Sequence, residues 1–141
     1  MGFLGRLFGS KKLELSDAEL GVFTAENNRP SIIWQGKARF LDNEVDVYIA
    51  GTETVLSEEK KAVVKDLLAN QDYYEKEIDE ALGQEFENAE LPYSGWRQHF
   101  ECLLISATRE ELEITFENKE NFYHFNVFFI GRKSRGVSID S

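Results

Sequence analysis

Cysteine is almost missing: Cys102 stands alone in 141 residues, so there is no disulfide framework and a reducing compartment fits. Proline occurs only at Pro30 and Pro92, and Pro30 ends any ladder of backbone donors where it stands. The only histidines, His99 and His124, lie far apart, and no Cys or His pair has zinc-ligand spacing. Glycine-rich phosphate loops and the G-x-S-x-G elbow of serine hydrolases are missing too, which removes the best-marked enzyme classes. Positive charge is in deficit, with 16 Lys and Arg against 26 Asp and Glu and a net charge of −10. A protein that tracks a nucleic-acid backbone needs the opposite sign, so no nucleic-acid partner is expected.

Apolar residues are plentiful at 42%, including 11 Phe, 5 Tyr and 2 Trp. That is enough to build one core, and the length suits one domain. The predicted organisation is a tail over residues 1–12 and a single domain over 13–141. In the tail, Phe3, Leu4, Leu7 and Phe8 fall at helical spacing before Lys11 and Lys12. The segment is too short to span a bilayer and lacks the apolar run and cleavage site of a secretory signal. Phe3, Leu4, Leu7 and Phe8 are candidate contacts with an anionic membrane surface, against the plainer reading of a tail docked on its own domain.

Register is most legible in SIIWQGKARFLDNEVDVYIAG, residues 31–51. Trp34, Gly36, Ala38 and Phe40 alternate with Gln35, Lys37 and Arg39. Beyond Asp42-Asn43, Val45, Val47 and Ile49 alternate with Glu44, Asp46 and Tyr48. Period-two alternation around a two-residue turn predicts a β-hairpin. Placing Leu41 opposite Glu44 sets Phe40 against Val45, Ala38 against Val47 and Arg39 against Asp46.

Upstream, residues 20–25 read as a strand and 26–30 as a turn, while 16–19 read as a single helical turn or a strand lead-in. From Ser57, an N-cap followed by Glu58 and Glu59, the period changes. Val63, Val64, Leu67, Leu68, Tyr74, Ile78 and Leu82 form one helical stripe, either a bent helix over 57–84 or two helices divided at Asn70, with Gly83 as the stop. Strands follow over 99–106, 111–117 and 122–130, then a basic loop over 131–136 and a short closing strand over 137–139. The predicted fold is α+β: an antiparallel sheet of about six or seven strands with one long helix or two helices on one face.

Four features in this order carry a resemblance: Leu20-Gly21-x-Phe23, Trp34-x-Gly36, Leu67-Leu68-x-Asn70, and Tyr123-His124-Phe125-Asn126-Val127. Across residues 20–139 the chain resembles a group of small uncharacterised bacterial α+β domains, some of them encoded beside toxin-immunity genes. The resemblance implies an α+β fold and a bacterial cytoplasmic origin, with the inner face of the membrane as the alternative location if the tail binds lipid. It implies no activity and no cofactor.

Eight of the nine charged residues between Asp72 and Glu90 are acidic. This run reads either as a hydrated helix face or as a docking surface for a basic protein, such as a nuclease toxin covered by an immunity protein. The candidate partner-binding residues are Glu75, Asp79, Glu80, Tyr73 and Trp96. Cys102 is expected in the core and inert, and an enzyme using His124 or His99 is the trailing alternative. No cofactor or metal is implied.

Overall fold

The computed structural model describes residues 12–26 and 31–141. The expected amphipathic tail, apart from Lys12, and residues 27–30 of the predicted turn lie outside the described residues.

The hairpin forms from β3 (Ile32–Phe40) and β4 (Asn43–Gly51). Its faces are those the alternation predicts: Trp34, Phe40, Val45, Val47 and Ile49 are buried, while Lys37, Arg39, Glu44 and Asp46 are exposed. Its pairing differs by two residues. Phe40 opposes Asn43, Ala38 opposes Val45, Arg39 opposes Glu44 and Lys37 opposes Asp46. The turn comes one residue early, with Leu41 (φ 51°) and Asp42 (φ 71°) as its centre. Left-handed backbone at a leucine costs about 1–2 kcal/mol. Leu41 is held there because its side chain is buried and its N–H donates to Gln71 Oε1 at 2.9 Å. A shift of two leaves every side chain on its own face, so hydrophobic alternation alone could not distinguish the two pairings.

Before the hairpin come β1 (Lys12–Asp17) and β2 (Gly21–Glu26). The Asp17 carboxylate closes the turn between them by accepting the N–H groups of Glu19 and Leu20. After the helices come β5 (Phe100–Ala107), β6 (Leu112–Asn118), β7 (His124–Ile130) and β8 (Lys133–Asp140). The eight described strands form one sheet in chain order, and every neighbouring pair is antiparallel except β4 and β5, which run parallel.

The architecture therefore corrects the predicted one. It is a mostly-sheet fold with a mixed eight-stranded sheet, not an α+β fold on six or seven antiparallel strands. Two antiparallel meanders of four strands are joined by a helical crossover, and a crossover of that length returns the chain beside β4 in the same direction. The extra strand is β1, whose Leu13 and Leu15 alternate with Glu14 and Ser16 over too short a span to exclude a helical turn.

Between β4 and β5 lie α1 (Glu58–Ala69), α2 (Gln71–Asn88) and the short α3 (Trp96–His99). Ser57 caps α1 through its Oγ, which accepts the Lys60 N–H at 3.3 Å. Asn70 divides α1 from α2, and its Nδ2 donates back to the Asp66 carbonyl at 2.9 Å. The helix does not stop at Gly83 but runs one turn further, which buries Phe86. Gly83 instead makes room: a Cβ there would lie 3.0 Å from the Tyr93 ring that folds back over it. The core lies between the helices and one face of the sheet, with Trp34, Tyr74, Phe23, Phe40, Phe100, Phe116 and Phe129 fully buried. Each such side chain contributes on the order of 2 kcal/mol by leaving water.

Candidate interaction site

The long helix α2 carries the acidic run, and its sequence divides into rows by helical spacing. Tyr74, Ile78, Leu82 and Phe86 form the buried row. Tyr74 meets Phe129 of β7 edge-on, and Phe86 packs against Phe100 and Phe125. This seats α2 over the β7–β8 side of the sheet.

One step round the helix, Glu75 and Asp79 face the Tyr93–Arg97 segment. The Trp96 indole N–H donates to Glu75 Oε2 at 2.8 Å, and Arg97 reaches the same oxygen at 2.9 Å. Asp79 Oδ1 accepts the Tyr93 hydroxyl at 2.6 Å and the Trp96 backbone N–H at 2.9 Å. Burial, reinforced by that bond to Asp79, pushes the Tyr93 hydroxyl well above its ordinary range. Arg97 extends the network to the hairpin turn, pairing with Asp42 at 3.2 Å and donating to the Leu41 carbonyl. Glu75, Asp79 and Trp96, which sequence spacing offers as partner-binding residues, are thus brought together with one another. Trp96 is buried, with its ring edge-on to Phe116 at 5.5 Å.

Glu80 and Tyr73 are on the outside. Tyr73 is 42% exposed, with the Arg132 guanidinium 5.8 Å from its ring centre. Arg132 itself forks onto Asp66 at 2.7 and 3.0 Å, and Asp66 also accepts the Tyr74 hydroxyl at 2.7 Å. Those bonds, Arg132 first, hold the Asp66 carboxyl below its usual range. Sequence reasoning missed Arg97, Asp66 and Arg132 as structural partners, because each pair joins segments well separated in the chain.

Of the remaining acids Asp72, Glu80, Glu87 and Glu90 are exposed and Glu77 and Glu85 half-buried, and none has an ion-pair partner among the described residues. Glu85 and Glu87 sit in the last turn of α2, which contains no base. The helix macrodipole favours positive charge there, so these acids cost the fold a few tenths of a kcal/mol each. Tyr73 near one end and Leu91, 56% exposed, beyond the other are large apolar side chains beside this acidic surface.

Among the described residues the remaining candidates are spread out. Cys102 is buried, and burial pushes its thiol up to about 12, far from a reactive thiolate. His99 stacks on Tyr93 at 5.2 Å, and its Nε2 accepts the Ser94 N–H at 3.1 Å. His124 lies on the helix-free side of the sheet, 3.1 Å from Glu117. No described group of His, Cys, Asp and Glu could hold a metal ion. No described helix is long and apolar enough to cross a membrane. Phe3, Leu4, Leu7 and Phe8, the candidate membrane contacts, lie outside the described residues. Comparison with protein-family models, with curated proteins and with solved structures finds no match.

Proposed function

We propose that this is a bacterial cytoplasmic binding protein that docks a basic protein surface through the outward acids of α2, in the manner of an immunity protein covering a toxin. The observation that carries the reading is the placement of Glu85 and Glu87 at the C-terminal end of a helix without a single base in its last turn. Acids there oppose the macrodipole and have no ion-pair partner among the described residues, so folding gives no reason for them. A cationic partner does: the same charges raise its encounter rate and fix its orientation. Tyr73 and Leu91 supply apolar anchors at the two ends of the surface, as a compact interface requires.

The test replaces Glu77, Glu80 and Glu87 with Gln together. Stability stays level or rises slightly, since none of the three side chains makes a hydrogen bond or ion pair among the described residues. The partner is recovered from the native host by crosslinking, and its association is followed over a salt series. The triple variant associates more slowly and with a flatter salt dependence. An unchanged association rate at every salt concentration rejects the reading.

A further inference from the structure

The sheet ends at β8, and among the described residues nothing pairs with its outer side. An edge strand turns a row of backbone N–H and C=O groups to water, and proteins blunt such edges with charges and bulges. Here the blunting is confined to the first half. Lys133, Arg135 and the register shift opposite Phe128 and Phe129 all come before Gly136. From Gly136 to Asp140 the strand pairs residue for residue with β7. In this regular half Val137 and Ile139 lie opposite Val127 and Phe125 on the helix side, and Ile139 is 47% exposed.

The helix α2 stands over this edge. Its Glu75–Asp79 flank is turned toward Trp96 and Arg97, where α3 leads into β5 in the middle of the sheet. The opposite flank, Tyr73, Glu77, Ala81 and Glu85, is therefore turned toward β8, and Tyr73 lies beside Arg132 in the β7–β8 turn. Tyr74 against Phe129 and Phe86 against Phe125 make α2 run alongside β8 in the same direction.

The geometry points to this corner as the place where the partner is gripped: an extended basic segment adds to Gly136–Asp140 as a ninth strand, and its helix-facing side chains reach Glu77 and Glu85. The inference rests on the acidic-surface reading and specifies the partner's conformation. Spacing supports it. Alternate side chains of a strand are about 6.6 Å apart. Helix residues four apart are about 6 Å apart along the axis, so the two rows stay nearly in phase over three side chains. The charge is complementary for a basic strand. A second copy of this chain fits less well, because two β8 edges paired about a twofold axis bring one Glu77–Glu85 row against its mate.

The test uses a synthetic peptide of about ten residues alternating Lys and Val, and a twin with Glu in place of Lys. Binding is followed by fluorescence polarisation and by hydrogen exchange of the full chain. The Lys peptide slows exchange of alternate amides within residues 136–140, and N-methylation of its backbone abolishes binding. Its affinity falls by about fivefold to tenfold in the Glu77→Gln, Glu85→Gln variant, and the Glu peptide does not bind. If the Lys peptide protects α2 alone and tolerates N-methylation, the edge inference is overturned while the acidic surface stands. If no peptide binds at millimolar concentration, both readings fall. If residues 136–140 become protected with rising protein concentration and no peptide, a second copy holds the edge and the inference is wrong.

Discussion

Trp96 donates its indole N–H to Glu75 at 2.8 Å, tying the buried ring to the acidic helix. Replacing Glu75 with Ala strands that donor and removes one of the partners of Arg97, and is expected to cost about 1–3 kcal/mol. Replacing the outward Glu80 with Ala should stay within about 0.5 kcal/mol. Urea unfolding followed by tryptophan fluorescence separates the two. Equal midpoints would show that the network contributes nothing. For the same reason a combined Glu75, Asp79 and Glu80 neutralisation should lower stability.

Much of the architecture is written in local patterns, and the limits are just as local. The faces of β3 and β4 follow from alternation, and the Asn70 division follows from a break in the helical stripe. The relative direction of β4 and β5 is invisible in either strand, because direction is decided by the crossover between them. The acidic run marks α2 correctly as a charged helix. It cannot show that Glu75 and Asp79 face inward, because that depends on Tyr93, Trp96 and Arg97, which come back to α2 only in the folded chain.

The hairpin faces give a second contrast. Phe40 is fully buried, so Phe40→Asp places an unpaired charge in the core and should cost several kcal/mol. Lys37→Asp loses an exposed pair with Asp46 at 2.8 Å and sets two carboxylates opposite each other, a much smaller loss. Comparable thermal midpoints for these two variants would contradict the buried and exposed faces described above.

A tight approach at Gly51 gives a third. A Cβ there would meet the Val55 carbonyl and come within 2.8 Å of the Trp34 ring, which is fixed by its N–H bond to the Thr52 carbonyl. Neither neighbour can retreat cheaply, so Gly51→Ala should cost about 1–3 kcal/mol. A melting temperature equal to that of the unaltered protein would mean that the β4 end is looser than described.

Asp17 gives the chain a defined acid response. Its carboxylate accepts the Leu20 N–H at 2.9 Å and the Glu19 N–H at 3.0 Å, and Lys61 and Lys65 of α1 lie 3.3 and 3.5 Å away. The backbone bond from Leu20 is the largest of the influences that hold its pKa at about 2, below the ordinary 3.8. A carboxyl lowered in the folded state stabilises fully above its unfolded pKa, and that stabilisation is lost as pH falls through the folded value. The window therefore runs from about pH 4 down to about pH 2. The side chain is largely shielded but its lysine partners touch solvent, so the contribution is about 1–2 kcal/mol at neutral pH. Asp17→Asn keeps an oxygen for the turn and removes only the charge. The difference in unfolding free energy between the two proteins should be constant from pH 7 to pH 5 and shrink toward zero near pH 2. A difference as large at pH 2.5 as at pH 7 would assign the whole effect to the shape of the β1–β2 turn and none to the charge.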